Sequence, residues 1–272
     1  MNRALLLLAG TLLLAVVVTG CSSGAEPSAG GSTSTGASVG PAAPPPPEVG
    51  ACYLLDVRAA LRATNSRPAV PCSRRHTSVT VSVGTVQPVQ DGHLLALGSA
   101  RVQRQIAEAC RRIVDAHVGG SPRKQRLSLV QAVWFNPSAD QADRGALWYR
   151  CDLVISAGNR AFAALPTKTK GLLDASGAMN RWGTCGTAAP SSAAFRRVLC
   201  SAKHTWRART ALTLPAGTTY LSTSAAKIAD GRCRDVAAKL SPRSTKLRWA
   251  FEWPTRQQWQ TGQRYGFCWT PD

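Results

Sequence analysis

The chain opens on an apolar run and then breaks into short alternating and helical patterns. From Ala4 to Val18 only Gly10 and Thr11 interrupt the apolar residues, a single cation (Arg3) precedes the run, and small residues close it at Gly20. A cationic start, an apolar middle and a small-residue end predict a secretory signal over Met1–Gly20. The run is shorter than the ~20 residues of a membrane span, and no basic stop-transfer cluster follows. Further on, Val79, Val81 and Val83 alternate with Thr80 and Ser82, and Trp206, Ala208, Thr210, Leu212 and Leu214 alternate with Arg207 and Arg209. Period two predicts a strand in each place. Helices are expected to start near Ser99 and Ser222, both good N-caps. Behind them Ile106, Cys110, Ile113 and His117 recur at helical spacing, as do Ala229, Cys233, Val236 and Leu240. Leu247, Trp249, Phe251 and Trp253 alternate again with Arg248, Ala250 and Glu252, and a polar link containing Gly145 or Gly262 leads to a last strand.

The same β-α-β-β order thus occurs twice. The expected fold class is α+β: two tandem small modules, each a helix packed on a short, mostly antiparallel sheet and stapled by disulfides. The boundaries read as a lipoprotein signal at 1–20, a tether at 21–49, a first module at 50–157, a linker at 158–181 and a second module at 182–272. The tether Ser22–Val49 has no aromatic residue, and only Glu26 and Glu48 are charged. Such a stretch cannot offset the entropy of ordering itself. Its 28 residues reach on the order of 30 Å as a flexible coil.

Cysteine spacing carries the duplication independently. Cys21 follows Val18-Thr19-Gly20, an ending that resembles a bacterial lipobox, whose cysteine takes a thioether-linked lipid and whose anchor is of the palmitate type. Two or more acyl chains hold a protein firmly at a membrane. Eight cysteines remain, with gaps of 20, 38 and 41 residues in one half and 15, 33 and 35 in the other. Gly50-Ala-Cys52 matches Gly183-Thr-Cys185, and Val70-Pro-Cys72-Ser-Arg-Arg-His76 matches Val198-Leu-Cys200-Ser-Ala-Lys-His204. Ile106 through Arg111 matches Ile228 through Arg234 with one insertion, and Ser121-Pro-Arg123 matches Ser241-Pro-Arg243. Pro137, Gly145, Trp148 and Cys151 match Pro254, Gly262, Tyr265 and Cys268 at one constant offset of 117. An ungapped frame of this kind predicts a tandem repeat. An even cysteine count in an exported chain points to disulfides. Four cysteines allow three pairings in each half, and spacing does not select among them. The pairing carried forward is Cys52–Cys72, Cys110–Cys151, Cys185–Cys200 and Cys233–Cys268, which pins each helix to its last strand.

The frame Gly-x-Cys, Val-x-Cys-Ser-x-x-His, a helical Cys and Pro…Gly…Trp/Tyr-x-x-Cys resembles the septum formation-related domain of actinobacterial exported proteins. The likeness covers Gly50–Cys151 and again Gly183–Cys268. It implies a membrane-anchored module outside the cytoplasm, tied to the cell division septum, with no established catalysis. Two departures stand out: where the family has Pro before the motif His and Glu three residues after it, this chain has Arg75 and Lys203, then Val79 and Arg207.

Candidate chemistry centres on His76 and His204, each four residues after a Cys. That spacing suits zinc, but bridged cysteines supply no thiolate, so neither metal nor cofactor is expected. A histidine acting as a base needs a nucleophile and an orienting carboxylate. No Gly-x-Ser-x-Gly is present, and Asp56, Asp152 and Asp235 are the carboxylates to consider. Parity along the strands also sets the two histidines apart: His76 is opposite to Val79, whereas His204 is in step with Trp206. Ser224-Ala-Ala-Lys227 imitates the nucleophile motif of penicillin-binding enzymes but lacks its partner motifs.

Charge is a stronger clue than any motif. Lys and Arg number 33 against 14 Asp and Glu, a net charge of +19. All but Arg3, Glu26 and Glu48 of these lie in the folded part. Such a field favours anionic partners, and Arg suits phosphate because it binds bidentately. The expectation is a non-enzymatic lipoprotein, lipid-anchored on the extracytoplasmic face of the cell membrane. It would bind or scaffold an anionic wall polymer, a lipid surface or a division protein, and not nucleic acid. His76, His204, Arg207 and Arg209 are its candidate binding residues. The alternative is an envelope hydrolase or transferase using His76 or His204.

Overall fold

The structure, a computed structural model, describes residues 42–272 apart from 91 and 159. The expected signal over Met1–Gly20, the lipidation residue Cys21 and most of the tether lie outside the described residues. Among the described residues, no helix is long and apolar enough to cross a membrane. In chain order the elements are β1 (Cys52–Tyr53), α1 (Val57–Ala60), β2 (Ser78–Thr85), β3 (Val89–Gln90), β4 (His93–Leu94), α2 (Ala100–Val118), α3 (Pro122–Leu127) and β5 (Val130–Phe135). Then follow α4 (Ala139–Asp143), β6 (Trp148–Gly158), β7 (Ala161–Phe162), α5 (Ala178–Trp182), β8 (Thr184–Gly186) and β9 (Arg197–Leu199). The chain closes with β10 (Trp206–Thr213), α6 (Thr223–Leu240), β11 (Ala250–Glu252), α7 (Arg256–Gln260) and β12 (Tyr265–Pro271).

The fold is α+β. One antiparallel sheet has the order β1-β2-β6-β5, with β7 added to β6; the other has β11-β12-β10-β8-β9. Apart from β7 and β9 the two orders are the same when each is written from the strand bearing its first cysteine. The central pairs even share a bulge, between Thr80 and Ser82 in β2 and between Ala208 and Thr210 in β10. An extra residue at one place in both sheets bends the strands alike.

Each long helix is fixed by its cap and by a narrow buried stripe. The Ser99 hydroxyl accepts from the Val102 amide and the Ser222 hydroxyl from the Ala225 amide, satisfying one orphan donor at each start. Val102, Ile106, Cys110, Val114 and Val118 form the buried face of α2; Ala225, Ala229, Cys233 and Ala237 form that of α6. Counted from the caps, the two sets coincide without an insertion. Ile106 therefore corresponds to Ala229, and Ile228 is 49% exposed, because burial on the sheet decides the register and side-chain identity does not. The strand expected through Leu247–Trp253 is only three residues long, at β11. Trp249 turns to the helix, its indole N–H donating to Asp230, and Pro254 has no amide to continue the ladder.

Four disulfides join Cys52 to Cys72, Cys110 to Cys151, Cys185 to Cys200 and Cys233 to Cys268. The second and fourth tie a helix to the last long strand of its sheet. Residues 158–181, read as a linker, are packed: Leu165, Leu172, Leu173 and Ala178 share one core with Val118 and Ile155 of the first half and Leu199 of the second. The halves also meet through a bridge between Ser128 and Gly183. At Gly158 the backbone takes φ +78°, and a Cβ would collide with the Arg197 carbonyl. The residue is glycine because the second half comes that close.

Candidate functional site

The turns before β2 and β10 carry the two candidate histidines in the same way. His76 Nδ1 lies 2.9 Å from the Arg74 carbonyl and His204 Nδ1 lies 2.6 Å from the Ala202 carbonyl. A carbonyl only accepts, so each ring holds its proton on Nδ1 and braces the turn after a disulfide. The burial patterns of β2 and β10 are identical residue for residue. The parity difference read from sequence is therefore one of composition: both strands are buried at the same positions, and the first fills them with Ser78 and Thr80, the second with Trp206 and Ala208.

His204 Nε2 lies 2.7 Å from Asp272 Oδ2. Nε2 thus faces a carboxylate oxygen while Nδ1 faces a backbone carbonyl oxygen. The Asp272 carboxylate also takes Arg207 through Nε at 3.0 Å and Arg209 through a terminal nitrogen at 2.7 Å. Arg207 bonds Asn180 Oδ1 as well, and Arg209 bonds Thr270 Oγ1. Burial pushes the Asp272 carboxyl up, but hydrogen bonds from Arg207 and His204 and the charges of both arginines outweigh it and bring it to about 2. Three of the four candidate binding residues are thus gathered on one carboxylate, and their polar groups face it.

His76 lies apart, 2% exposed. The carboxylates considered for it are engaged elsewhere. Asp56 caps α1 and pairs with Arg67, and Asp235 is exposed on α6. Asp152 accepts from Ser78 Oγ at 2.9 Å, Thr80 Oγ1 at 2.8 Å and Arg150 at 3.0 Å. Its carboxyl is raised by burial, which the Arg150 charge and the hydroxyl bonds oppose. The Arg150 guanidinium in turn stacks on Tyr53 at 3.9 Å and Phe135 at 4.7 Å. At the matching positions of the second sheet stand Phe267 and Trp269, with Phe195 edge-on to Trp269 at 5.3 Å. One half thus buries an ion pair with two hydroxyls where the other buries an aromatic cluster.

Among the described residues, one group has metal-ligand geometry: Cys185, His204 and Asp272, with ligand atoms within 4.8 Å of one another. Cys185 is bonded to Cys200, so it offers no thiolate, and Arg207 already holds Asp272. Two remaining ligands fall short of the four of a structural zinc site. Sequence reasoning missed Asp272 because it corresponds to Ile155 in the first half, so the repeat gives no sign of it.

The family model for septum formation matches residues 49–268. The chain belongs to the Septum formation family. This match runs as one stretch through both sheets, so the family model does not divide them into two copies. No curated protein and no solved structure matches the chain. In this septum formation protein His76 and His204, conspicuous in sequence, sit in structural turns, and the eight cysteines among the described residues are bridged.

Proposed function

We propose that this septum formation protein is a non-enzymatic binding or scaffold lipoprotein, held by a lipid on Cys21 at the outer face of the membrane and acting at the envelope or division septum through its excess of positive charge. The observation that carries the non-enzymatic part is the commitment of His204: both ring nitrogens already face oxygens of the protein, the Ala202 carbonyl and Asp272 Oδ2, so neither is turned toward a nucleophile. Several cations point the same way. Arg104, Arg232, Lys239 and Arg243 are exposed and pair with no carboxylate among the described residues. A chain with net charge +19 attracts anionic wall polymers and acidic lipids over a Debye length of ~8–10 Å at moderate salt. A division protein docking on the sheets is the other partner class. The two halves act as paired modules on this reading.

The test is a salt titration of the full chain against isolated cell walls and anionic vesicles. Binding that falls steeply with ionic strength, without cleavage of wall fragments, is the expected result. Hydrolysis of wall fragments that is lost in His204→Ala would overturn the reading. Lipidation is checked separately by mass spectrometry of the mature N-terminus, with Cys21→Ala as the control that releases the protein from membranes.

A further inference from the structure

The two halves share a fold, so a feature present in only one is not demanded by that fold. Such a feature lies between α6 and the chain entering β11. A groove of about 510 Å³ opens there, lined by Ala226, Lys227, Asp230, Gly231, Arg234 and Trp249. Counted from the helix caps, the residues of α2 at the same places are Gln103, Arg104, Ala107, Glu108 and Arg111, and Ala132 stands for Trp249. In the first half Gln103 covers this face, accepting from the Trp134 indole at 2.9 Å and donating to the Leu97 carbonyl at 2.8 Å, while Glu108 stands out from the helix and pairs with Arg112 in solvent. In the second half Ala226 and Gly231 remove both long side chains from the same turns, and Trp249 makes a wall. Glycine inside a helix is unfavourable, so its presence at 231 does not serve helix stability.

We propose that this groove binds a pyranose bearing a carboxylate. Three observations specify the ligand. Asp230 accepts the Trp249 indole N–H at 2.9 Å, which fixes the ring and occupies its donor, leaving an apolar surface suited to the C–H face of a sugar. Ala226 and Gly231 carry no long side chain, so a sugar ring can approach the helix backbone on either side of Asp230. Lys227 and Arg234, seven residues apart and so about 10 Å along the axis, lie on the same helix face in the lining of the groove, and neither forms an ion pair among the described residues. A carboxylate on the sugar takes a charge-assisted bond from one of them.

The groove is one shaped site, while the function proposed above rests on diffuse charge, and the two fail separately. The test follows the indole N–H signals of the 15N-labelled full chain by two-dimensional NMR, with Trp249→Phe assigning its peak. The probes are N-acetylmuramic acid, N-acetylglucosamine (the same ring without the lactyl carboxylate) and inorganic phosphate. Expected is a saturable shift of the Trp249 signal with N-acetylmuramic acid and at least tenfold weaker binding of N-acetylglucosamine. Lys227→Ala or Arg234→Ala should remove most of that difference. The double change Ala226→Gln with Gly231→Glu, which copies the first half, should abolish the shift while the other indole signals stay in place. No saturable shift, equal binding of the two sugars, or an equal shift from phosphate alone would overturn the proposal. Loss of salt-sensitive wall binding with the sugar shift intact would sink only the diffuse-charge reading.

Discussion

Asp152 and Trp269 hold equivalent places in the two sheets: each directly follows the last bridged cysteine of its half and each is 0% exposed. Around Asp152 are Arg150, Ser78 and Thr80; around Trp269, at the same positions, are Phe267, Trp206 and Ala208. The backbone accepts either filling. A buried ion pair loses hydration that its attraction and hydrogen bonds only roughly restore, whereas an aromatic cluster gains by leaving water. The two halves therefore present opposite solutions to one packing problem.

Removing one partner of the ion pair should be costly. Asp152→Ala leaves Arg150 charged, 3% exposed and without a counter-charge, and the expected loss is about 3–5 kcal/mol of unfolding free energy. Changing both residues together to Met and Leu should recover most of that loss. Urea unfolding of the three proteins checks it, and equal losses from the single and double changes would contradict the account.

Acid should weaken the Asp272 cluster in a defined window. The folded carboxyl titrates at about 2, below its unfolded value of 3.8. The unfolded chain therefore binds more protons in between, and the contribution is present in full above about pH 4 and is lost as pH falls toward 2. Asp272→Asn removes it, at a cost of about 1 kcal/mol at neutral pH once solvent screening of this exposed carboxylate is counted. The stability difference between wild type and Asp272→Asn, followed by urea unfolding, should shrink to near zero at pH 2.

The disulfides should differ in worth by the loops they close. Cys110–Cys151 spans 41 residues and Cys185–Cys200 spans 15. Loop entropy then assigns them about 4 and about 3 kcal/mol respectively. Paired Cys→Ala variants compared by thermal melting under oxidising conditions test the order. A larger loss from the short loop would show that native packing and not chain entropy sets their value.

His204→Ala should leave wall and vesicle binding within twofold of wild type, because the ring faces Asp272 and the Ala202 carbonyl and not solvent partners. Its expected effect is a stability loss of about 1 kcal/mol. Charge reversal of Arg232, Lys239 and Arg243 together should have the opposite profile, with normal melting and a smaller salt dependence of binding. Co-sedimentation at several salt concentrations separates the two.

Much of this was legible in sequence, for identifiable reasons. Strand alternation at Val79–Val83 and Trp206–Leu212 and the capped helices after Ser99 and Ser222 are local signals, and the cysteine spacing repeats in plain view. The alignment of Ile106 with Ile228 misled because α6 replaces the bulky buried residues of α2 with alanines, so side-chain likeness pointed one position off the burial register. Ser78 and Thr80 look like the solvent face of a strand. They are fully buried because Asp152, 72 and 74 residues away along the chain, gives their hydroxyls a partner.

Periodicity, caps and cysteine spacing were enough to give the central strands, the two long helices, their order and the number of bridges, since these signals act over one or two turns or along a countable loop. Folding in three dimensions was needed for Asp272 to gather His204, Arg207 and Arg209, for Leu165, Leu172, Leu173 and Ala178 to enter the common core, and for α6 to leave a groove where Gln103 covers the matching face of α2. Each of these depends on which distant surfaces meet, and packing between residues far apart in the chain has no one-dimensional period to betray it.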